Sequence, residues 1–274
     1  METQTARLAT VSEQGRRIQE NLQGVRERIV VFSGKGGVGK TTVAVNLAFA
    51  LAKSGNRVGL LDADVTGPDV PKMVGLLGKP TKGEPGFMVP PERDGVKVIS
   101  IASLIPEDSP VIWRGPLRSR ALDQFLGEVA WGSLDHLVAD LPPGTGDEVM
   151  TMVQHMKPQL AVVVTTPQEM SLIDCRRAIN MARKMGVERL GVVENMSGLR
   201  CPQCGHLIEV FGSGGGEQVA KELGVVFLGR LPMDLNVREQ ADRGTPVMLS
   251  DEPTDIHRAF VEITERVIEM IEGD

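Results

Sequence analysis

Tyrosine is absent from this chain of 274 residues, and aromatic residues make up only 3% of it. We therefore expect no aromatic platform on which nucleic-acid bases could stack. The net charge is −6, so the chain as a whole also lacks the basic surface that favours nucleic acid. Its apolar runs stay well short of the ~18 residues that a membrane-spanning helix requires. The sequence thus predicts neither a nucleic-acid partner nor a membrane partner.

Cysteine is scarce, with three residues in the chain: Cys175, Cys201 and Cys204. Three cysteines do not make a disulfide scaffold, and such scarcity is typical of a protein from a reducing compartment. The first 25 residues also lack the apolar core of a secretory signal. These absences predict a cytoplasmic protein.

Apolar residues make up 41% of the chain, which is enough for a sizeable core. Short continuous runs of valine, isoleucine and leucine predict strands, and amphipathic segments between them predict helices. Strands are expected at residues 28–33, 57–62, 96–101, 134–140, 160–165, 189–195 and 225–231. Helices are expected at residues 40–54, 116–129, 147–156, 169–185, 215–223, 236–243 and 254–272. This order predicts an α/β fold with a doubly wound, mainly parallel sheet.

The N-terminal part of the chain differs in character from the rest. Residues 1–24 are polar, so we expect an N-terminal extension that forms a peripheral helix or a loose tail. Residues 25–274 are expected to form a single domain, with a surface loop or hairpin at residues 78–95. In a doubly wound sheet, ligands bind at the carboxyl ends of the strands. The motifs described below all follow a predicted strand.

The segment between the first predicted strand and the first long helix is Gly-Lys-Gly-Gly-Val-Gly-Lys-Thr-Thr. It matches the phosphate-binding pattern G-x-x-x-x-G-K-[ST], in which glycines let backbone N–H groups turn toward phosphate oxygens. The helix that follows adds its positive N-terminal end. Lys40 is expected to reach the β- and γ-phosphates of a nucleotide, and Thr41 is expected to hold Mg²⁺. The predicted nucleotide-binding residues of this loop are Gly34, Lys35, Gly36, Gly37, Val38, Gly39, Lys40, Thr41 and Thr42.

Carboxylates follow two further predicted strands. Asp62 and Asp64 stand two residues apart at a strand end, where both can reach the Mg²⁺ of a nucleotide or its water shell. Alternatively, they cap a helix or lie solvated in a turn. Another apolar strand ends at Asp140, the arrangement of a Walker B carboxylate, which would hold Mg²⁺ through water. The turn Pro-Pro-Gly-Thr-Gly-Asp after it would place Gly144 close to the γ-phosphate.

Cys201 and Cys204 form a C-x-x-C pair in a turn with proline and glycine, which points both sulfurs the same way. Such a pair is half of a tetrahedral site, whereas Cys175 falls inside a predicted helix, where a buried core thiol is expected. A two-fold dimer would supply the other half and complete a four-cysteine site. Four cysteines suit either zinc or an iron–sulfur cluster. A dithiol redox site is a third possibility, although no helical pattern begins after Gly205.

Taken together, these motifs resemble those of the Mrp/ApbC family of cytosolic ATPases that carry iron–sulfur clusters. The extra lysine, Lys35, is similar to that of the deviant Walker A group of P-loop NTPases, which also contains MinD, ParA and the nitrogenase iron protein. The Cys-Pro-x-Cys after Asn-Met-Ser, with Phe-Gly-x-Gly-Gly-Gly behind it, separates the Mrp/ApbC family from MinD and ParA. The resemblance therefore implies a P-loop NTPase domain with a C-x-x-C insertion loop at residues 196–213.

The resemblance also implies roles for individual residues. Lys35 would reach across a dimer interface to the nucleotide of the partner subunit and act in catalysis; otherwise it is a solvated loop lysine. Asp64 would position or activate the attacking water, and Asp62 would support Mg²⁺ through water. Asn195 would hydrogen-bond the adenine, and a main-chain site near Pro232 would close the base pocket. Without the resemblance, Asn195 is an ordinary turn residue.

The implied function is slow hydrolysis of ATP, with Mg²⁺, by a homodimer. One iron–sulfur cluster, expected to be 4Fe–4S, would lie between the cysteine pairs of the two subunits and pass to apo iron–sulfur proteins; zinc is a possible occupant after isolation in air. Two other functions remain open: a MinD/ParA-like ATPase that regulates positioning, and an ATPase adaptor with a structural four-cysteine zinc site. The predicted last helix is acidic, which argues against a membrane-binding version of the first.

Overall fold

The computed structural model describes residues 13–76, 78–104, 115–250 and 253–273. Eight strands form its central sheet, and two short antiparallel pairs lie beside it. The strands in chain order are β1 (Val25–Phe32), β2 (Val58–Asp62), β3 (Thr81–Lys82), β4 (Met88–Val89), β5 (Glu92–Arg93), β6 (Val96–Ser100), β7 (Leu134–Asp140), β8 (Leu160–Thr165), β9 (Arg189–Glu194), β10 (Leu199–Arg200), β11 (Leu207–Ile208) and β12 (Val226–Arg230).

One helix precedes these strands along the chain, two follow them, and the others lie between them. The helices are α1 (13–21), α2 (Lys40–Lys53), α3 (Val70–Met73), α4 (Gly115–Gly127), α5 (Asp147–Met156), α6 (Glu169–Lys184), α7 (Gly215–Leu223), α8 (Leu235–Asp242) and α9 (Asp255–Glu272). The bounds of α2 and of α4 to α9 agree closely with the predicted ones, because each begins and ends near a cap, a glycine or a change of hydrophobic period that is visible in the sequence. The short helix α3 was not predicted. Among the described residues, no helix combines the length and the apolar character needed to cross a bilayer.

The central sheet has the strand order β12-β9-β8-β1-β7-β2-β6-β5. All neighbours are parallel except β5, which runs antiparallel to β6 at one edge. Successive residues of β1 point to opposite faces: Val30 and Phe32 enter one core cluster, and Ile29 and Val31 enter the other. Both faces are buried, which explains why the strands are continuous apolar runs. The predicted doubly wound, mainly parallel sheet is confirmed.

The topology places the ends of three strands side by side. Strand β1 lies between β7 and β8, two strands that come much later in the chain, so the loop after β1 opens at a switch point in strand order. The register aligns Asp140 with both Val31 and Asp62. In the same way Thr165 of β8 is aligned with Glu194 of β9. Polar residues that are distant along the chain therefore meet at the carboxyl edge of the sheet.

The described part of the predicted N-terminal extension is a helix that packs on the domain. Ile18 is 1% exposed, and Leu22, in the short 3-10 helix that follows α1, is fully buried. Asn21 Nδ2 donates to two carbonyl oxygens, those of Leu126 at 2.7 Å and Val129 at 3.0 Å. Of the two expected forms, a peripheral helix or a loose tail, residues 13–21 take the first. The division of the chain at residue 24 stays a prediction.

Three details differ from the expected strands. The short pair β10–β11 lies in a segment where no strand was expected. Strand β1 begins at Val25, three residues before the expected start, because Val25 already pairs in register with Leu134. The segment expected as a surface loop or hairpin, residues 78–95, contains the β3–β4 hairpin and also β5. Such short edge strands are stabilised by pairing rather than by local sequence, so their hydrophobic pattern is weak.

Candidate functional site

The phosphate-binding loop joins the end of β1 to the first turn of α2. Gly37 and Gly39 both have a φ angle of 81°, in the left-handed region that favours glycine. A Cβ atom on Gly39 would lie 2.2 Å from Nδ2 of Asn195, so a larger residue would also clash there. The first N–H groups of α2 have no acceptor within the helix and point toward the loop. The loop therefore has the backbone geometry of an anion-binding site.

Lys40 and Thr41, the first residues of α2, converge on Asp140 at the end of β7. Lys40 Nζ donates to Asp140 Oδ1 over 2.6 Å, and Thr41 Oγ1 donates to Asp140 Oδ2 over 2.7 Å. Burial raises the pKa of Asp140 above its ordinary value, against the opposing effects of Lys40 and Thr41. An ammonium group suited to phosphate thus lies beside a hydroxyl and a carboxylate suited to Mg²⁺.

Asp64 turns one carboxylate oxygen toward the same cluster. Its Oδ2 lies 3.7 Å from Lys40 Nζ. Its Oδ1 accepts hydrogen bonds from Thr66 Oγ1 over 2.7 Å and from the backbone N–H of Gly67 over 3.2 Å. These two donors hold the carboxylate in place and leave Oδ2 directed at Lys40. A carboxylate held in this way can orient a water molecule or accept its proton.

Asp62 is fully buried, and its oxygens are engaged by neighbouring protein groups. Its Oδ2 accepts from Ser100 Oγ over 2.8 Å and from Val70 N–H over 3.4 Å, and its Oδ1 accepts from Asp64 N–H over 3.2 Å. Burial raises the pKa of Asp62 well above its ordinary value, and the nearby charge of Asp140 adds to this increase. Asp62 therefore holds the backbone that follows β2, and its assignment to Mg²⁺ through water stays a prediction.

Asn195, predicted to bind adenine, lies against the phosphate-binding loop. Its Nδ2 donates to the carbonyl oxygen of Val38 over 2.8 Å, and the residue is only 7% exposed. The segment that contains Pro232 is held at the same edge of the sheet, because Ser197 N–H donates to Leu231 O over 3.0 Å. The structure thus brings both predicted base-binding positions to one side of the loop. Their contact with adenine stays a prediction.

The turn after β7 lies against the other side of the loop. Gly144 N–H donates to Ser33 O over 2.8 Å, and the φ angle of Gly144 is 96°, which favours glycine. A Cβ atom on Gly36 would come within 4.0 Å of Pro143 Cγ. The two segments predicted to surround the γ-phosphate are therefore adjacent.

The remaining loop residues also contact other parts of the chain. Gly34 packs on α6, where a Cβ atom would lie 2.2 Å from the carbonyl oxygen of Asp174. Thr42 is inside α2, and its carbonyl accepts from Asn46 Nδ2 over 2.9 Å. Lys35 is partly buried, and it forms no ion pair within the described part of the chain. Its role across a dimer interface stays a prediction.

Cys201 and Cys204 lie outside this cluster, in the turn between β10 and β11. Cys201 N–H donates to His206 O over 2.8 Å, and Gly205 N–H donates to Cys201 O over 2.9 Å, which closes the turn. The backbone N–H groups of Cys204 and Gln203 lower the pKa of the Cys201 thiol. A lowered pKa favours the thiolate, which is the form that binds metals.

The cysteine pair has no third ligand from the described residues. Cys204 is exposed and Cys201 is partly exposed. Nowhere in the described ranges do three or more His, Cys, Asp or Glu residues come together in a way that could hold a metal ion. Cys175 is buried in α6, as its helical position predicted, and burial raises the pKa of its thiol to about 12. One chain therefore offers two sulfur ligands at this hairpin.

Three side chains that hold chain segments near the site have no role in the sequence predictions: Glu194, Ser100 and Thr66. Glu194 is fully buried at the end of β9 and accepts several hydrogen bonds. The sequence does carry a signal for Glu194, because a carboxylate that ends an apolar strand is the same pattern that predicts a role for Asp62 and Asp140. A serine or threonine near a strand end carries no comparable signal, since such residues are common in turns.

A family model and several known proteins are similar to this chain over most of its length. A family model described as ParA: NUBPL iron-transfer P-loop NTPase matches residues 24–268. A protein of Methanocaldococcus jannaschii named iron-sulfur cluster carrier protein is 47% identical over 267 residues, which cover 96% of this chain and 91% of the relative. A protein of the same name from Pyrococcus horikoshii is 49% identical over 272 residues, which cover 94% of this chain and 92% of the relative.

Solved structures agree with this result. A nucleotide-binding protein of Archaeoglobus fulgidus in complex with ADP has a TM-score of 0.75 and 39% identity, and the match covers 89% of this chain and 98% of that one. The cell division ATPase MinD of Pyrococcus furiosus has a TM-score of 0.67 at 23% identity, over 89% of this chain and 99% of that one, which shows a shared fold alone. The resemblance inferred from the motifs is thus confirmed at the level of the family. The chain belongs to the NUBPL iron-transfer P-loop NTPases.

Proposed function

We propose that the protein is an ATP-hydrolysing carrier that binds an iron–sulfur cluster between two copies of the chain and transfers it to apoproteins. The observation that carries the proposal is the solvent-accessible pair Cys201 and Cys204, with no third ligand among the described residues. A tetrahedral metal site or a cluster needs four ligands. A second copy, related by a two-fold axis, supplies the missing two. The names of the relatives support an iron–sulfur cluster as the cargo.

Apolar side chains beside the cysteine pair support a homodimer. Leu207, Ile208 and Val210 are exposed to 47%, 43% and 48%. A cluster of exposed apolar side chains next to a pair of ligands is typical of a surface that the functional assembly covers. A second copy seated there would also shield the cluster from water.

The nucleotide site supports hydrolysis of ATP. In the proposed reaction Lys40 neutralises the β- and γ-phosphates, while Thr41, and Asp140 through water, hold Mg²⁺. Asp64 Oδ2 orients the attacking water and accepts its proton as the water oxygen bonds to the γ-phosphorus. The bond from that phosphorus to the bridging oxygen breaks, and ADP and phosphate leave. The partner subunit's Lys35 adds positive charge in the closed dimer, so turnover depends on closure and is expected to be slow.

The same proposal assigns the rest of the predicted site. The loop residues at positions 34–42 bind the phosphates through their backbone N–H groups, and Asn195 with the main chain near Pro232 binds the adenine. The segment 196–213 is an insertion in one NTPase domain, which spans residues 25–274. The scarcity of cysteine supports a cytoplasmic location.

Anaerobic reconstitution with iron and sulfide tests the cargo. We expect one 4Fe–4S cluster per dimer, measured by its absorption spectrum and by metal analysis of the dimer after size-exclusion chromatography. The variants Cys201→Ala and Cys204→Ala should lose the cluster, because each leaves the dimer with two sulfur ligands. Cys175→Ala is the matched control and should keep it, since that thiol is buried in the core. Transfer is then followed as recovered activity of an apo iron–sulfur enzyme.

The zinc alternative predicts a different outcome. The same four sulfurs would hold zinc tightly and stoichiometrically, and iron and sulfide would not replace it. That result, together with no transfer to an apoprotein, contradicts the carrier proposal and favours an ATPase with a structural zinc site.

A further inference from the structure

A buried carboxylate without a role in the proposed phosphate chemistry lies beneath the cysteine-bearing segment 196–213. Glu194 ends β9 and is fully buried. Its Oε1 accepts from Ser197 Oγ over 2.6 Å and from Gly214 N–H over 2.9 Å, and its Oε2 accepts from Gly216 N–H over 2.6 Å. One carboxylate therefore binds the chain at the point where it leaves the sheet toward the cysteines and at the point where it returns.

The returning end is held with particularly close packing. Gly214 precedes α7 and has a φ angle of 84°, and a Cβ atom on Gly216 would lie 3.0 Å from Cβ of Glu194. The free N–H groups and the positive end of α7 favour a carboxylate at this position. Arg230 Nε lies 3.5 Å from Glu194 Oε1 and adds a positive charge. A shift of either end of the segment relative to β9 must therefore change the contacts of Glu194.

The next residue along the chain contacts the phosphate-binding loop. Asn195 Nδ2 donates to Val38 O over 2.8 Å, and a Cβ atom on Gly39 would lie 2.2 Å from it. Both positions belong to the loop whose backbone is shaped for phosphate. Two successive residues at the end of β9 thus contact the nucleotide loop on one side and both ends of the cysteine segment on the other.

We infer that Glu194 is a positioning residue that couples nucleotide binding to the geometry of Cys201 and Cys204. The inference rests on the proposed nucleotide site but not on the identity of the metal cargo. Nucleotide that rearranges the loop or the Asn195 amide displaces the end of β9. Glu194 passes this displacement to both ends of the cysteine segment at once, because its two oxygens hold them together. The carboxylate thereby links the two sites through contiguous contacts.

Backbone bonds provide a weaker connection. Ser197 N–H donates to Leu231 O over 3.0 Å, and Met233 N–H donates to Gly198 O over 2.8 Å. Both of these bonds hold the outgoing end of the segment. The carboxylate of Glu194 also bonds to the returning end, so its replacement removes a contact that the two ends share, while the β10–β11 pairing keeps the hairpin intact.

Alkylation of the thiols in the reduced, metal-free, full-length protein tests the coupling. The rates at Cys201 and Cys204 are measured separately by mass spectrometry, without nucleotide, with Mg²⁺ and ADP, and with Mg²⁺ and a non-hydrolysable ATP analogue. In the wild type we expect nucleotide to change at least one rate by about five-fold or more. Glu194→Gln places an NH₂ group opposite a backbone N–H donor, so it should bind nucleotide with near wild-type affinity but lose most of this response.

A matched control and an internal control accompany this measurement. Glu217→Gln removes a carboxylate of α7 that is exposed and pairs with the same Arg230, and its thiols should respond to nucleotide as in the wild type. Cys175 is buried, so its slow alkylation reports that the fold is retained.

The outcomes separate this inference from the proposed function. If the thiols of Glu194→Gln respond to nucleotide as in the wild type, or if the wild type binds nucleotide without any change in the rates, the coupling is overturned. Failure of the wild type to bind nucleotide overturns the proposed function instead. If Glu194→Gln makes Cys175 accessible to alkylation, the variant Ser197→Ala is used instead. It removes one hydrogen bond to the carboxylate, and the coupling is ruled out if nucleotide still changes its alkylation rates as in the wild type.

Discussion

The ammonium group of Lys40 lies close to two buried carboxylates at once. Its Nζ is 2.6 Å from Asp140 Oδ1 and 3.7 Å from Asp64 Oδ2, and all three residues are buried. Removal of one partner from a buried ion pair leaves an uncompensated charge in a medium of low polarity. Lys40 is therefore expected to stabilise the fold as well as to bind phosphate, which the loop pattern in the sequence does not indicate.

Lys40→Ala is expected to abolish ATP binding and hydrolysis, and to lower the free energy of unfolding by about 3 kcal/mol at about pH 8. The loss should shrink toward about pH 5. Burial already raises the pKa of Asp140, and removal of the ammonium group raises it further. At about pH 5 the carboxyl group of Asp140 therefore binds a proton in the folded variant but not in the unfolded chain. The free energy of unfolding of the variant falls as the pH rises and this proton is lost. Urea denaturation at both pH values measures the effect.

Lys35→Ala is the control for this experiment, since Lys35 belongs to the same loop but forms no ion pair among the described residues. Its stability should equal that of the wild type at both pH values. A loss for Lys40→Ala that does not depend on pH would contradict the role of the buried carboxylates.

Asp64→Asn is expected to bind ATP normally and to reduce kcat by a factor of about 100 to 10,000, the usual contribution of a general base. The amide oxygen can still accept from Thr66 and Gly67, so the geometry of the segment is retained while the basic oxygen is lost. Binding is measured by calorimetry and turnover by phosphate release. Asp69→Asn, which changes a carboxylate of the same segment whose side chain makes no capping hydrogen bond to α3, should leave kcat unchanged. A normal kcat for Asp64→Asn would remove Asp64 from the catalytic residues.

At the scale of elements, α5 connects the turn after β7 with the N-terminal helix. The end of α5 contacts two other helices: His155 Nδ1 lies 2.5 Å from Asp123 Oδ1 on α4, and Gln19 Nε2 of α1 donates to His155 O over 2.8 Å. The hydrogen bond to Asp123 raises the pKa of His155, and partial burial opposes it. The packing of α1, α4 and α5 therefore includes one contact that depends on pH.

Asp123→Asn should lower stability by about 1 kcal/mol at about pH 6 and by much less at about pH 9, after allowance for the exposure of His155. Because the pKa of His155 is raised on folding, the contribution is fully present below the ordinary histidine value of about 6.5 and is lost as the pH rises through the folded value. Chemical denaturation at the two pH values measures this.

Glu222→Gln is the control, because its partner Arg176 stays charged and lowers the pKa of Glu222, so its effect should be the same at both pH values. If the two variants show the same dependence on pH, the interpretation of the His155 contact is wrong.

At the scale of the whole molecule, the proposed site is complete only in a dimer. Lys35 and Asp64 would then serve the same nucleotide from different subunits. Each of the variants Lys35→Ala and Asp64→Ala should bind ATP without hydrolysing it. In a mixture of the two, a mixed dimer has one site with a normal Asp64 and a normal Lys35 from the partner.

Random mixing of equal amounts should therefore restore about a quarter of the wild-type turnover, since half of the dimers are mixed and each has one complete site of two. Phosphate release from the mixture measures this. The control is the mixture of Lys40→Ala with Asp64→Ala, which should stay inactive if Lys40 acts within its own subunit. An inactive first mixture, or full activity of Lys35→Ala alone, would show that Lys35 does not act across the interface.

Much of the fold could be predicted because its signals are local. Strand β7 and helices α5 and α7 have the bounds that their hydrophobic pattern predicts. The phosphate-binding loop could also be predicted, since glycines and a lysine at fixed spacing suffice for its backbone geometry. Asp140 and Asp64 could be assigned to one cluster because the carboxyl ends of parallel strands meet at one edge of a sheet. In each case the interaction depends on residues that are near in sequence or on a general rule of topology.

Other features depend on contacts between distant parts of the chain, and no local pattern indicates them. Asp62 is engaged by Ser100, a residue of another strand, and Glu194 is engaged by the N–H groups of residues 214 and 216, which lie beyond the cysteine segment. Leu22 belongs to a segment of polar composition but is fully buried, and its burial also depends on contacts with distant parts of the chain. Composition and spacing establish which chemical groups the protein has and in which elements they lie. The packing of the sheet decides which of these groups meet, because a buried hydrogen bond forms only where the tertiary structure brings a donor and an acceptor together.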